Sequence, residues 1–137
     1  MTPKQSVLFE CDRRGPDAVV HDCVAILAGE KIDADFLRIL GGPPAETVLE
    51  GRAGGLKGYW PRVWAARGLL HVWNDTATDA IIRATTHESW RVREMAAKVI
   101  ANHHVAPAVD AVVVLLDDGN ARVRSAAARA FRVVAES

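Results

Sequence analysis

Apolar positions recur along this chain in blocks that keep one phase. Pro61-Arg62, Val92-Arg93 and Val123-Arg124 lie 31 residues apart, and so do Ala65-Ala66-Arg67, Ala96-Ala97-Lys98 and Ala127-Ala128-Arg129, then Leu69, Ile100 and Phe131. Asp79-Ala80-Ile81-Ile82 returns 31 residues later as Asp110-Ala111-Val112-Val113. Each repeat therefore holds two segments, both apolar at helical spacing, and neither can bury its apolar face alone. Stacked helix pairs meet that requirement, so the period predicts an all-α fold, an α-solenoid of helix pairs.

The segments before the periodic part predict a degenerate N-terminal capping unit over residues 1–44, because terminal repeats depart from the pattern to close a stack. Residues 1–15 hold a short apolar patch, Val7-Leu8-Phe9, and read as one or two loose turns packed on the next helix. Pro16-Asp17 opens a buried helix with Val19, Val20, Cys23, Val24, Ile26 and Leu27, closed by Gly29. Asp33 to Leu40 reads as a short helix stopped at Gly41-Gly42-Pro43-Pro44. Three repeats follow within a single domain of residues 1–137: 45–75, 76–106 and 107–135. Their helices are expected at Ala45 to Glu50 and Tyr59 to Trp73, at Thr78 to Thr86 and Trp90 to His103, and at Pro107 to Leu116 and Ala121 to Ala135.

Sorted by the shared register, one face of the second helices carries Trp64, Ala65, Gly68, Leu69 and Val72, then Met95, Ala96, Val99 and Ile100, then Ala126, Ala127, Ala130, Phe131 and Val134. This face is the expected core, and its alanines let helices approach closely. A second stripe carries Trp60, Val63, Arg67 and His71, then Arg91, Glu94, Lys98 and Asn102, then Arg122, Ser125, Arg129 and Arg132. In a solenoid the second helices line the concave surface where extended partners bind, which makes Arg67, Arg91, Lys98, Arg122 and Arg129 candidate binding cations, Glu94 the carboxylate among them and Trp60 an aromatic anchor. The competing reading is an ordinary solvated face, since exposed helix faces are charged by default. Val133 and Val134 near the end are expected to be exposed, which would let an uncapped stack pair with a second copy.

Asp118-Gly119-Asn120-Ala121-Arg122-Val123-Arg124-Ser125-Ala126-Ala127 resembles the HEAT repeat, as does Trp90-Arg91-Val92-Arg93-Glu94-Met95-Ala96-Ala97. The resemblance covers roughly residues 45–135. It implies that Arg93 and Arg124 are structural, forming with the turn aspartate a ladder between neighbouring repeats. The ladder is expected to be incomplete, because the position of Asp118 is His87 one repeat earlier and Leu56 two repeats earlier. The resemblance also suggests a comparison with the HEAT-like alkylpurine DNA glycosylases, which hold a damaged base against groove tryptophans beside a carboxylate. Here Trp90 and Glu94 stand one turn apart, but the repeats are too few to embrace a duplex, those enzymes use aspartate, and Trp90 reads first as packing between repeats.

Composition narrows the function without naming it. Lys plus Arg and Asp plus Glu balance at 17 each, so a generally basic nucleic-acid binder is not indicated. Residues 1–57 carry 7 basic and 9 acidic side chains and residues 58–137 carry 10 and 8, which tilts the repeats slightly positive. Cys11 and Cys23 form no disulfide framework, and Cys23 sits on an apolar helix face as a small core residue. Gly51-Arg52-Ala53-Gly54-Gly55-Leu56-Lys57-Gly58 lacks the Gly-Lys-Ser/Thr end of a phosphate loop and reads as an inter-helix turn. The five histidines, His21, His71, His87, His103 and His104, make no metal-ligand motif, and no Gly-x-Ser-x-Gly turn occurs, so no metal, cofactor or catalytic constellation is expected. No apolar run nears the roughly 20 residues of a membrane span, and none at the start has leader length. A cytoplasmic protein is expected, and arginine over lysine with abundant alanine and valine suggests a GC-rich bacterial gene. The reading is a non-enzymatic scaffold or adaptor binding an acidic protein or peptide through the concave stripe. Nucleic acid on the same stripe is the second reading, and a base-excision enzyme the third.

Overall fold

The computed structural model describes residues 1–136. Among them are nine α-helices and no strand: α1 (Pro3–Arg14), α2 (Pro16–Leu27), α3 (Ala34–Gly41), α4 (Ala45–Leu49), α5 (Trp60–Gly68), α6 (Thr78–Ala84), α7 (Trp90–His103), α8 (Val109–Leu115) and α9 (Ala121–Val134). The all-α class and the helix pairs of an α-solenoid are those the period predicts. The chain divides into two compact units, Met1–Ala77 and Thr78 onward.

The first unit holds α1 to α5. The loose turns expected over residues 1–15 are instead a regular 12-residue helix. Its start is a capping box: the Thr2 hydroxyl accepts from the Gln5 amide at 3.1 Å, the Gln5 side chain accepts from the Thr2 amide at 2.8 Å, and Pro3 occupies the first helical position. Two orphan donors are satisfied locally, which is why the helix holds although little of it is buried. Thr2→Ala should destabilise this helix by about 1 kcal/mol, read as faster amide exchange along Pro3–Arg14. Unchanged exchange there would remove the box as the cause.

α2 packs against α1 and α5, and α3 against α1, α4 and α5. Val19, Val20, Cys23, Ile26, Leu37, Leu40, Trp64 and Leu69 form the core. Burial pushes the Cys23 thiol up to about 12, so it stays protonated as a packing group. α5 ends at Gly68, well short of the expected Trp73. Leu70 and His71 bond back three residues, to Arg67 and Gly68, and this tighter winding terminates the helix.

In the second unit α7 packs chiefly on α9, with α6 on α7 and α8 on α9. Ala96, Ala97, Ala127 and Ala130 are fully buried, and small side chains on both helices allow the close approach the register implies. On α9 the buried line is Val123, Ala127, Ala130 and Val134, spaced four, three and four. Two expectations fail at this point. Phe131 was placed in the core but is 36% exposed, because it stands about 80° round the helix from Val123. Val134, read both as core and as part of an exposed end, lies on the buried line at 4% exposure, so the core reading holds and the exposed-end reading does not. Ala126 and Met95 are only half-buried, and Val63, assigned to the polar stripe, is buried because α5 has packing partners in α1, α2 and α3.

The 31-residue phase is visible in hydrogen bonds as well as in apolar positions. Arg62, Arg93 and Arg124 each donate Nη1 to the carbonyl six residues earlier: Leu56 at 2.7 Å, His87 at 2.8 Å and Asp118 at 2.7 Å. The acceptor is main chain, so the side chain at that position is free to vary. Where it is an aspartate, a rung forms: Asp118 accepts from Arg93 Nε at 2.8 Å and from Nη2 at 3.2 Å.

Candidate functional site

Of the seven candidate residues, Trp60 and Arg67 belong to the first unit and Arg91, Glu94, Lys98, Arg122 and Arg129 to the second. The two sets are distinct sites and are built differently.

On α5, Trp60, Trp64 and Arg67 follow one another at four and three residues and share a face. The rings of Trp60 and Trp64 are stacked, with centroids 6.0 Å apart and planes 26° apart, and Tyr59 tilts against Trp60 at 5.1 Å. Arg67 is half-buried and donates Nη2 to the Leu40 carbonyl at 2.7 Å, satisfying an orphan acceptor at the end of α3. It is therefore not the freely projecting groove cation that the stripe predicts. Burial, with no carboxylate to offset it, holds its pKa below the usual arginine value. A groove of about 440 Å³ runs along this face, walled opposite by Pro44, Thr47 and Val48.

In the second unit, Arg91, Glu94 and Lys98 on α7 stand at the same offsets as Arg122, Ser125 and Arg129 on α9. Glu94 is buried although the stripe predicts an exposed carboxylate, because Arg122 Nε donates to it at 2.9 Å and Lys98 Nζ lies 3.8 Å away. Trp90 supports the same array. The Arg91 guanidinium lies 4.5 Å from its ring centroid and that of Arg122 5.3 Å. Arg122 is thus fixed between a carboxylate and an indole while most of its side chain remains in solvent. Arg129 makes no ion pair with any described residue. A groove of about 420 Å³ lies between the helices, with Glu94, Lys98, Arg122 and Arg129 around a floor of Ala101 and Ala126.

The floor residues were absent from the sequence-level candidates, as were Pro44, Thr47 and Val48. The available signal for the former was alanine on the helical turn beside each cation. The latter lie outside the periodic positions and carried none. Among the described residues no three His, Cys, Asp or Glu side chains gather as metal ligands, and no helix is long and apolar enough to cross a membrane.

A family model for HEAT repeats matches residues 59–132, more than half of the chain. No curated protein and no solved structure matches it.

Proposed function

This chain belongs to the HEAT repeat family, helical repeats that serve as scaffolds for protein interaction, and from that premise we propose that it is a non-enzymatic adaptor for an acidic polypeptide segment. The supporting observation is the α7–α9 groove, where Lys98, Arg122 and Arg129 surround a small-residue floor with Glu94 as the lone carboxylate. A floor of alanine lets an extended main chain lie close, and the excess of cations favours carboxylates along it. Arg122 is already oriented by Glu94 and Trp90, so little side-chain entropy is lost when a partner arrives. Glu94 itself is engaged by Arg122 and Lys98, which suits an orienting role better than a general base.

The test is binding of a fluorescein-labelled hexaglutamate peptide by anisotropy. Lys98→Ala combined with Arg129→Ala should weaken it about tenfold, each exposed charge contributing about 0.7 kcal/mol. Glu94 and Arg122 are left intact so that the orienting array persists. A labelled single-stranded oligonucleotide of equal charge should bind more weakly. If it binds more tightly, with steep loss of affinity in salt, the partner class is nucleic acid instead. Equal hexaglutamate binding by parent and double variant would dismiss this groove.

A further inference from the structure

The groove along α5 carries a charge that nothing in its own unit neutralises. A guanidinium offers five N–H donors in a flat fork shaped for a carboxylate. Among the described residues, that of Arg67 meets one acceptor, the Leu40 carbonyl. Arg67 lines the groove and is the only charged residue among the described residues that do. A single cation does not suit a polyanionic backbone, which needs a row of them. Next to it on the same helix face are the stacked indoles of Trp60 and Trp64, and the opposite wall is Pro44, Thr47 and Val48. One end of the groove is apolar and aromatic, and the other is positive.

We propose that this groove is a second binding site, taking an aromatic side chain flanked by a carboxylate on the partner polypeptide. The ring lies on Trp60 against Pro44 and Thr47, and the carboxylate pairs with Arg67. Its volume of about 440 Å³ admits one aromatic side chain with the neighbouring acidic group. The proposal rests on the reading that the partner is an acidic polypeptide. It adds that the segment carries an aromatic residue beside an acidic one, which supplies a buried anchor where the α7–α9 groove supplies only charge.

The experiment labels the protein with 5-fluorotryptophan, whose four fluorine resonances are assigned by single Trp→Phe variants. Acetyl-Glu-Phe-Glu-amide is then titrated. The Trp60 and Trp64 resonances should move along a saturable curve. Acetyl-Gln-Phe-Gln-amide and acetyl-Glu-Ala-Glu-amide should each bind at least tenfold more weakly. Arg67→Gln keeps a donor for Leu40 and removes the charge, and should lose the same factor. Because that variant could also loosen α3, Thr47→Trp is the second arm: it fills the groove from α4, leaves Arg67 in place and should abolish the response. The response should survive in the Lys98→Ala, Arg129→Ala protein, which separates this site from the other. Equal binding of the neutral peptide, an unmoved pair of resonances at millimolar peptide, or loss of the response in that double variant would each overturn the assignment. Free phenylacetate binding as tightly as the peptide would also overturn it, by making the ligand a small molecule.

Discussion

Asp118→Ala is expected to destabilise the protein by about 3 kcal/mol, measured by urea unfolding. Asp118 occupies the turn before α9 and is largely buried, with its side chain 9% exposed. Its carboxylate accepts from Arg93 Nε and Nη2 and from the Asn120 amide at 2.9 Å. Alanine leaves the Arg93 guanidinium, itself only 20% exposed, without its counter-charge. Removing one partner of a buried pair costs about 3–5 kcal/mol, and the residual exposure of Arg93 places this case at the lower end. The Arg93 bonds to the His87 and Glu88 carbonyls remain, which is why the turn should loosen rather than unfold outright. The pH dependence supplies an independent check. Hydrogen bonding from Arg93, helped by the Asn120 amide, holds the Asp118 carboxyl below its usual value of 3.8 against the opposing effect of burial. The folded state thus binds its proton at lower pH than the unfolded chain does. The stabilisation is fully present above pH 3.8 and is lost as pH falls below it toward the folded-state value. Parent and variant should therefore differ most near neutrality and converge in acid. A difference below about 0.5 kcal/mol at pH 7, or one that grows on acidification, would show that the rung does not stabilise the fold.

The repeat phase made the helix pairs legible because it rests on burial, and burial repeats whenever the packing does. The carbonyl seats of Arg62, Arg93 and Arg124 follow the same phase but are main chain and invisible in a sequence, whereas the aspartate rung forms where the turn holds Asp118, and Leu56 and His87 leave the ladder without an aspartate at theirs. α1 is legible in Thr2-Pro3-Lys4-Gln5, a capping box with proline at the first position, although the apolar pattern behind it is too weak to predict a helix by itself. Phe131 departs from the expected core for another reason. A wheel drawn for a whole family of helices fixes the centre of the buried arc and leaves its width to whichever neighbours pack on each side. The burial of Glu94 and the seat of Arg67 lay beyond any such reading. They depend on Arg122, 28 residues on, and on the Leu40 carbonyl, 27 residues back, and neither separation is a helical spacing.

Gly41→Ala should cost about 2 kcal/mol, where the usual expectation for this change in a helix is a gain. Gly41 is the last residue of α3 and does not adopt a positive φ, so backbone conformation alone would favour alanine by up to about 1 kcal/mol. Space decides the sign. A Cβ at this position would stand 2.6 Å from Cε3 and 2.7 Å from Cζ3 of Trp64, closer than carbon atoms pack. The obstacle is a buried ring that cannot rotate away as a flexible chain end would, so α5 must shift against α3. Overpacking of this kind costs about 1–3 kcal/mol, and the displaced Trp64 also disturbs its stack with Trp60 and the wall of the groove. The cause can be isolated with Trp64→Phe, which trims the offending ring. In the parent that change opens a cavity and destabilises, whereas beside Ala at position 41 it relieves the clash, so the two changes should couple by about 1 kcal/mol in a double-mutant cycle. Additive effects, or a stabilised single variant, would mean that α3 and α5 are packed less tightly than this geometry requires. A coupled result would also tie the fold to the site, because the glycine that lets α3 abut Trp64 is then what holds α5 close enough for Arg67 to reach the Leu40 carbonyl.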